Sequence, residues 1–116
     1  MPKFILLLNG PAKYPTMTSE ERQAATEQFM SWARQMRESG KMVGGERLAP
    51  AGRIIGPKPE LLVTEAPFAE TRETVGGFFI VEAEGLDQAS EIARTNPHLG
   101  FGGSVEVRPI DDMTGN

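Results

Sequence analysis

From Lys3 to Leu8 the chain is apolar almost without interruption and then stops at Asn9-Gly10-Pro11, which predicts a strand buried on both faces. Thr18-Ser19-Glu20-Glu21 has the spacing of a capping box and predicts a helix start. Beyond it Ala25, Phe29, Trp32, Ala33 and Met36 recur at helical spacing, with Arg22, Gln28, Arg34, Gln35 and Glu38 on the other side. Gly40 supplies a left-handed terminator. An amphipathic helix must bury such a stripe, so Phe29, Trp32 and Met36 are read as core rather than as a ligand-binding face.

Residues 42–48 read as a strand opened by Gly44-Gly45, followed by a stretch punctuated at Pro50, Gly52, Gly56, Pro57 and Pro59. Within and after it, Arg53-Ile54-Ile55 and Leu61-Leu62-Val63-Thr64 predict two short strands of a hairpin. A polar connection over 65–74 leads to a second strongly apolar strand over 77–84. Asp87 is expected to cap a short helix with Ala89, Ile92 and Ala93 facing inward and Asn96-Pro97 ending it; 104–109 is the last strand.

The order is β-α-β, a hairpin, then β-α-β, the split βαβ pattern of an α+β, ferredoxin-like domain with two helices on one face of an antiparallel sheet. One domain is expected over 1–116, its core spanning 3–110, with a hairpin insertion over 52–64 and a flexible tail over 111–116. Helices cover one sheet face only, whereas the strands at 4–8 and 78–81 are apolar on both sides. The economical cover for the second face is another copy of the chain, so a homodimer is expected.

Composition narrows the functional classes. Of 116 residues, 39% are apolar and 24% charged, within the globular range. Twelve basic residues against 16 acidic ones give a net charge of −4, with no basic cluster to displace counterions from phosphates, so nucleic acid is not an expected partner. Without cysteine there is no disulfide, thiolate nucleophile or cysteine-ligated zinc. The apolar run at 4–8 is too short for a secretory core, and no stretch is long enough to span a bilayer; a cytoplasmic protein with no membrane partner is expected.

Three segments carry a family resemblance: Val63-Thr64-Glu65-Ala66-Pro67-Phe68-Ala69-Glu70-Thr71-Arg72-Glu73, Gly76-Gly77-Phe78-Phe79, and Gly103-Ser104-Val105-Glu106-Val107-Arg108-Pro109. With Gly44-Gly45-Glu46-Arg47-Leu48 they resemble the YCII-related family, specifically its DGPF branch, from Phe4 to Ile110. The resemblance implies a dimeric α+β barrel. Its signature tetrapeptide Asp-Gly-Pro-Phe stands here as Glu65-Ala66-Pro67-Phe68, with a longer carboxylate and no glycine to take a positive φ. The family implies both a catalytic and a regulatory reading, the latter through members encoded near extracytoplasmic-function sigma factors. Related barrels include cofactor-independent monooxygenases and lactone isomerases, a link of fold alone.

Candidate chemistry is sparse. On the last strand Val105, Val107 and Pro109 alternate with Ser104, Glu106 and Arg108, so the polar trio shares one face, where Glu106 and Arg108 can pair with each other or take a bound anion. His98 is the chain's one histidine and the one side chain whose ordinary pKa lies near neutrality, hence the acid/base candidate; one histidine without cysteine makes a poor metal site. Glu65, Glu70 and Arg72 on the polar connection are candidate binding groups, set against the reading that they are a solvated loop. The pairs Gly44-Gly45, Gly76-Gly77 and Gly102-Gly103 lead into strands, unlike a nucleotide fingerprint, and predict bulges or close backbone approaches. The leading expectation is a small-molecule ligand, with small anions among the candidates, in a dimer cavity, handled by acid/base chemistry without cofactor or metal. The alternative is a non-catalytic ligand-binding or regulatory module.

Overall fold

The computed structural model describes residues 1–10, 16–49, 52–55, 63–65 and 75–113. Strands β1 (Lys3–Asn9), β2 (Met42–Arg47), β5 (Val75–Glu82) and β6 (Ser104–Pro109) form one sheet in the order β2-β5-β1-β6. Every neighbouring pair in it is antiparallel. Helices α1 (Ser19–Glu38) and α2 (Leu86–Arg94) complete a ferredoxin-like α+β fold, and a 3-10 helix (Pro97–Phe101) joins α2 to β6. Strands β3 (Arg53–Ile55) and β4 (Val63–Glu65) pair antiparallel as a separate two-stranded sheet, with Ile54 opposite Thr64.

Helix α1 begins where the capping box places it. The Thr18 side chain accepts from the Glu21 N–H at 3.1 Å and the Glu21 carboxylate accepts from the Thr18 N–H at 2.9 Å. Gly40, at φ 75°, turns the chain out of the helix into β2. The start of α2 differs from the sequence reading: Gly85 holds the N-cap position and Asp87 lies in the first turn. Gln88 does part of the capping work instead, its Oε1 accepting from the Glu84 N–H at 2.6 Å.

The core lies between the helices and one sheet face. Phe4, Leu6, Met42 and Val81 are buried against Trp32 of α1 and Ala89, Ile92 and Ala93 of α2. Trp32 packs edge-on against Phe79 with ring centroids 4.8 Å apart, and its indole N–H donates to Thr95 Oγ1 at 2.8 Å, tying the two helical segments together. Phe79 occupies the space over Gly45, where a β-carbon would lie 2.6 Å from its ring. Strand β5 starts at Val75, two residues before the apolar run, because the register shift opposite Leu8 and Asn9 lets the ladder continue past Gly76. Among the described residues no helix is long and apolar enough to cross a membrane.

Candidate functional site

Directly opposed residues of an antiparallel sheet share a face, so the registers define what the face away from the helices carries. Ile5 stands between Ile80 and Arg108, and Leu7 between Phe78 and Glu106. Phe78 is opposite Glu46 of β2, and Asn9 is opposite Ser104. The result is an apolar centre of Ile5, Leu7, Phe78 and Ile80, each partly exposed, over which no described helix lies. Ser104, Glu106 and Arg108 edge it along β6 and Glu46 edges it along β2.

The alternation read from 104–109 is the one observed: Val105 and Val107 pack against the core while Ser104, Glu106 and Arg108 are exposed on the other side. Arg108 Nε and Glu106 Oε2 are 3.9 Å apart, with side chains 66% and 49% exposed. So long and solvated an ion pair is weak. The planar fork of N–H donors on Arg108 therefore keeps the capacity to take a carboxylate or similar anion.

His98 is placed elsewhere. It is 4% exposed within the 3-10 helix, and Asn96 Oδ1 accepts its backbone N–H at 2.9 Å. Its Nε2 lies 2.8 Å from the Asn9 carbonyl oxygen, which can only accept, so this nitrogen carries the proton. The ring lies over Gly103, in the space a β-carbon would take. Gly103 precedes Ser104 and is in step with the core-facing valines, so His98 and the Ser104–Glu106–Arg108 trio sit on opposite faces of the sheet. Their joint lining of one cavity, the arrangement acid/base chemistry on the trio's face would need, is not the arrangement found in the single chain.

Glu65 ends β4, where its backbone pairs with Arg53. Glu70 and Arg72 lie outside the described residues. Two participants were not read from the sequence. Asn96 serves as cap of the 3-10 helix, a role signalled by an Asn directly before a Pro. Glu46 belongs to the open face, but the register shift between Met42 and Gly44 breaks the period of two that would have shown it. Among the described residues no cluster of three or more His, Asp or Glu side chains is arranged to hold a metal ion.

Fold and face together define a small ferredoxin-like domain with one sheet face packed by helices and the other offering an apolar floor with a charged margin. The YCII-related domain model matches residues 1–114, and the chain belongs to that family. An uncharacterised protein of Rhizobium meliloti (strain 1021) is 31% identical over 113 residues, covering 91% of this chain and 89% of the relative. Among solved structures, 5-chloro-2-hydroxyhydroquinone dehydrochlorinase from Burkholderia phenoliruptrix AC1100, in complex with 2,5-dihydroxybenzoquinone, is similar with a TM-score of 0.55. That match covers 96% of this chain and 94% of the other at 16% identity, a likeness of fold.

Proposed function

We propose that two copies of the chain close their open sheet faces on each other, as a dimeric α+β barrel, and hold a small ligand with an apolar body and an anionic group between them. The observation that carries this reading is the row of Ile5, Leu7, Phe78 and Ile80, uncovered among the described residues, with Arg108 at its margin. Apolar side chains bury the body of the ligand, and a guanidinium fixes its orientation. The quinone held by the dehydrochlorinase is a ligand of that kind, small, flat and oxygen-substituted, on the same fold.

Binding comes before catalysis in this proposal. His98 acts as a strut, tying the 3-10 helix to the end of β1, and any proton transfer on the open face falls to Glu106. Glu65, Glu70 and Arg72, on the segment that resembles the DGPF signature, are proposed to complete the site from the β4–β5 connection. The test is a thermal-shift and calorimetric screen of small carboxylates and hydroxylated aromatic acids against the parent and Arg108→Ala. The expected result is stabilisation of the parent that is lost or reduced at least tenfold in affinity in the variant. Equal responses from both would remove Arg108 from the site, and a ligand turned over with a rate abolished by Glu106→Gln would establish an enzyme.

A further inference from the structure

The open face has a third row beyond those of Ile5 and Leu7. Asn9 follows them at the period of two along β1 and stands directly opposite Ser104 of β6, with no register break between the two strands. On its other flank the shift between Leu8 and Asn9 sets Val75 opposite Asn9. Gly76 and Gly77 bring no side chain between Val75 and Phe78, so this end of the face is roomier than its centre. The backbone at Asn9 is held from the helix side, where His98 Nε2–H donates to its carbonyl at 2.8 Å. Asn9 is partly exposed and Ser104 exposed, and among the described residues neither the Asn9 amide nor the Ser104 hydroxyl has a side-chain hydrogen-bond partner.

We propose that the ligand of the open face carries two polar ends, an anionic group held by Arg108 and an uncharged hydroxyl held by Asn9 with Ser104, and that Asn9 selects for the second. This rests on the reading of the face as a ligand site. Arg108 is opposite Ile5, four residues from Asn9 on β1, so the two ends stand about 13 Å apart along the strand. A hydrogen bond of about 3 Å at each end leaves about 7 Å for the ligand. That is the length of one aromatic ring with a carboxylate and a hydroxyl at opposite positions. The ring then lies over Leu7 and beside Phe78, where an offset aromatic pair forms. The Asn9 amide and the Ser104 hydroxyl each offer donor and acceptor, so together they satisfy a ligand hydroxyl in both of its roles. On β1, β5 and β6 the cations in step with this face are Lys3 and Arg108, both toward the other end, which leaves the Asn9 row without a charge to hold a second anion. Once a second copy covers the face, a ligand without the hydroxyl leaves the amide unpaired, and the site rejects it.

Calorimetry with 4-hydroxybenzoate, 3-hydroxybenzoate and benzoate tests this on the parent, Asn9→Ala and Arg108→Ala. The parent is expected to bind 4-hydroxybenzoate about tenfold or more tighter than benzoate, with 3-hydroxybenzoate close to benzoate because its hydroxyl lies off the line between the two ends. Asn9→Ala should bring the three acids together at the benzoate affinity of the parent, while Arg108→Ala weakens all three alike. Should Asn9→Ala fail to fold, Ser104→Ala at the exposed neighbouring position carries the same test and reduces the preference. A preference that survives in folded Asn9→Ala overturns the proposal. Equal affinities for the three acids in the parent, all weakened by Arg108→Ala, also overturn it and leave the anion site standing. No binding of any of the acids to the parent removes both.

Discussion

A β-carbon at Gly103 would enter the ring of His98, so these two residues form one packing unit. Gly103→Ala is expected to destabilise the chain by about 1–3 kcal/mol through overpacking. Combined with His98→Ala, which empties the space, it should cost clearly less than the sum of the single changes in a denaturant-unfolding cycle. Additive costs would mean that the ring is free to move aside. At the helix start, Thr18→Ala should cost about 1 kcal/mol, the worth of an N-cap, with no change of assembly. Glu21 adds a pH dependence: the hydrogen bonds from the Thr18 backbone and side chain hold its pKa below the usual 4.5. A depressed carboxylate pKa stabilises above the unfolded value and is lost as pH falls through the folded one. Urea unfolding should therefore show the Glu21→Gln deficit at pH 7 shrinking below about pH 4. The capping box was legible because every atom it needs lies within four residues. The His98–Gly103 contact was not, because nothing local says which side of the sheet a loop histidine turns to, and only the meeting with Asn9 decides it.

At the level of elements, Trp32 is where α1, β5 and the end of α2 meet. Trp32→Phe keeps an aromatic ring against Phe79 but removes the donor to Thr95, whose hydroxyl still donates to the Ile92 carbonyl at 2.6 Å. It should cost about 1 kcal/mol, whereas Trp32→Ala, which also leaves a cavity, should cost about 3–5 kcal/mol by equilibrium unfolding. A Phe variant as damaged as the Ala variant would assign the hydrogen bond a larger share than packing. The order of elements and the inward stripe of α1 follow directly from hydrophobic period, because burial demands that stripe whatever it meets. The boundaries that shifted have local causes invisible to period: the register break at Gly76 extends β5 toward Val75, and α2 starts at Leu86 with Gly85 at the N-cap in extended backbone and no side-chain cap, ahead of Asp87. The face assignment of β6 was legible because six residues alternate without a bulge, and that of β2 was not, because Val43 is the extra residue opposite Val81 and Ile80.

For the molecule as a whole, adjacent phenylalanines pose the decisive contrast. Phe79, partly buried, packs on Trp32 against the core on the helix side, while Phe78 lies on the open face between Glu46 and Leu7. An aspartate at 79 sets an unpaired charge against Trp32 and the helix-side core at a cost of several kcal/mol, a large part of the stability of a domain this size. Phe79→Asp should therefore leave the chain unfolded by circular dichroism. An aspartate at 78 meets water in the single chain and a partner's apolar floor in the closed pair. Phe78→Asp should keep the far-ultraviolet spectrum and a cooperative thermal transition, yet halve the mass in sedimentation and abolish the ligand response of the parent. The two substitutions change the same atoms one residue apart, so propensity and composition cancel and only the face differs. Should Phe78→Asp unfold as completely as Phe79→Asp, the open face would belong to the chain's own core and could not be the floor of a site shared between copies.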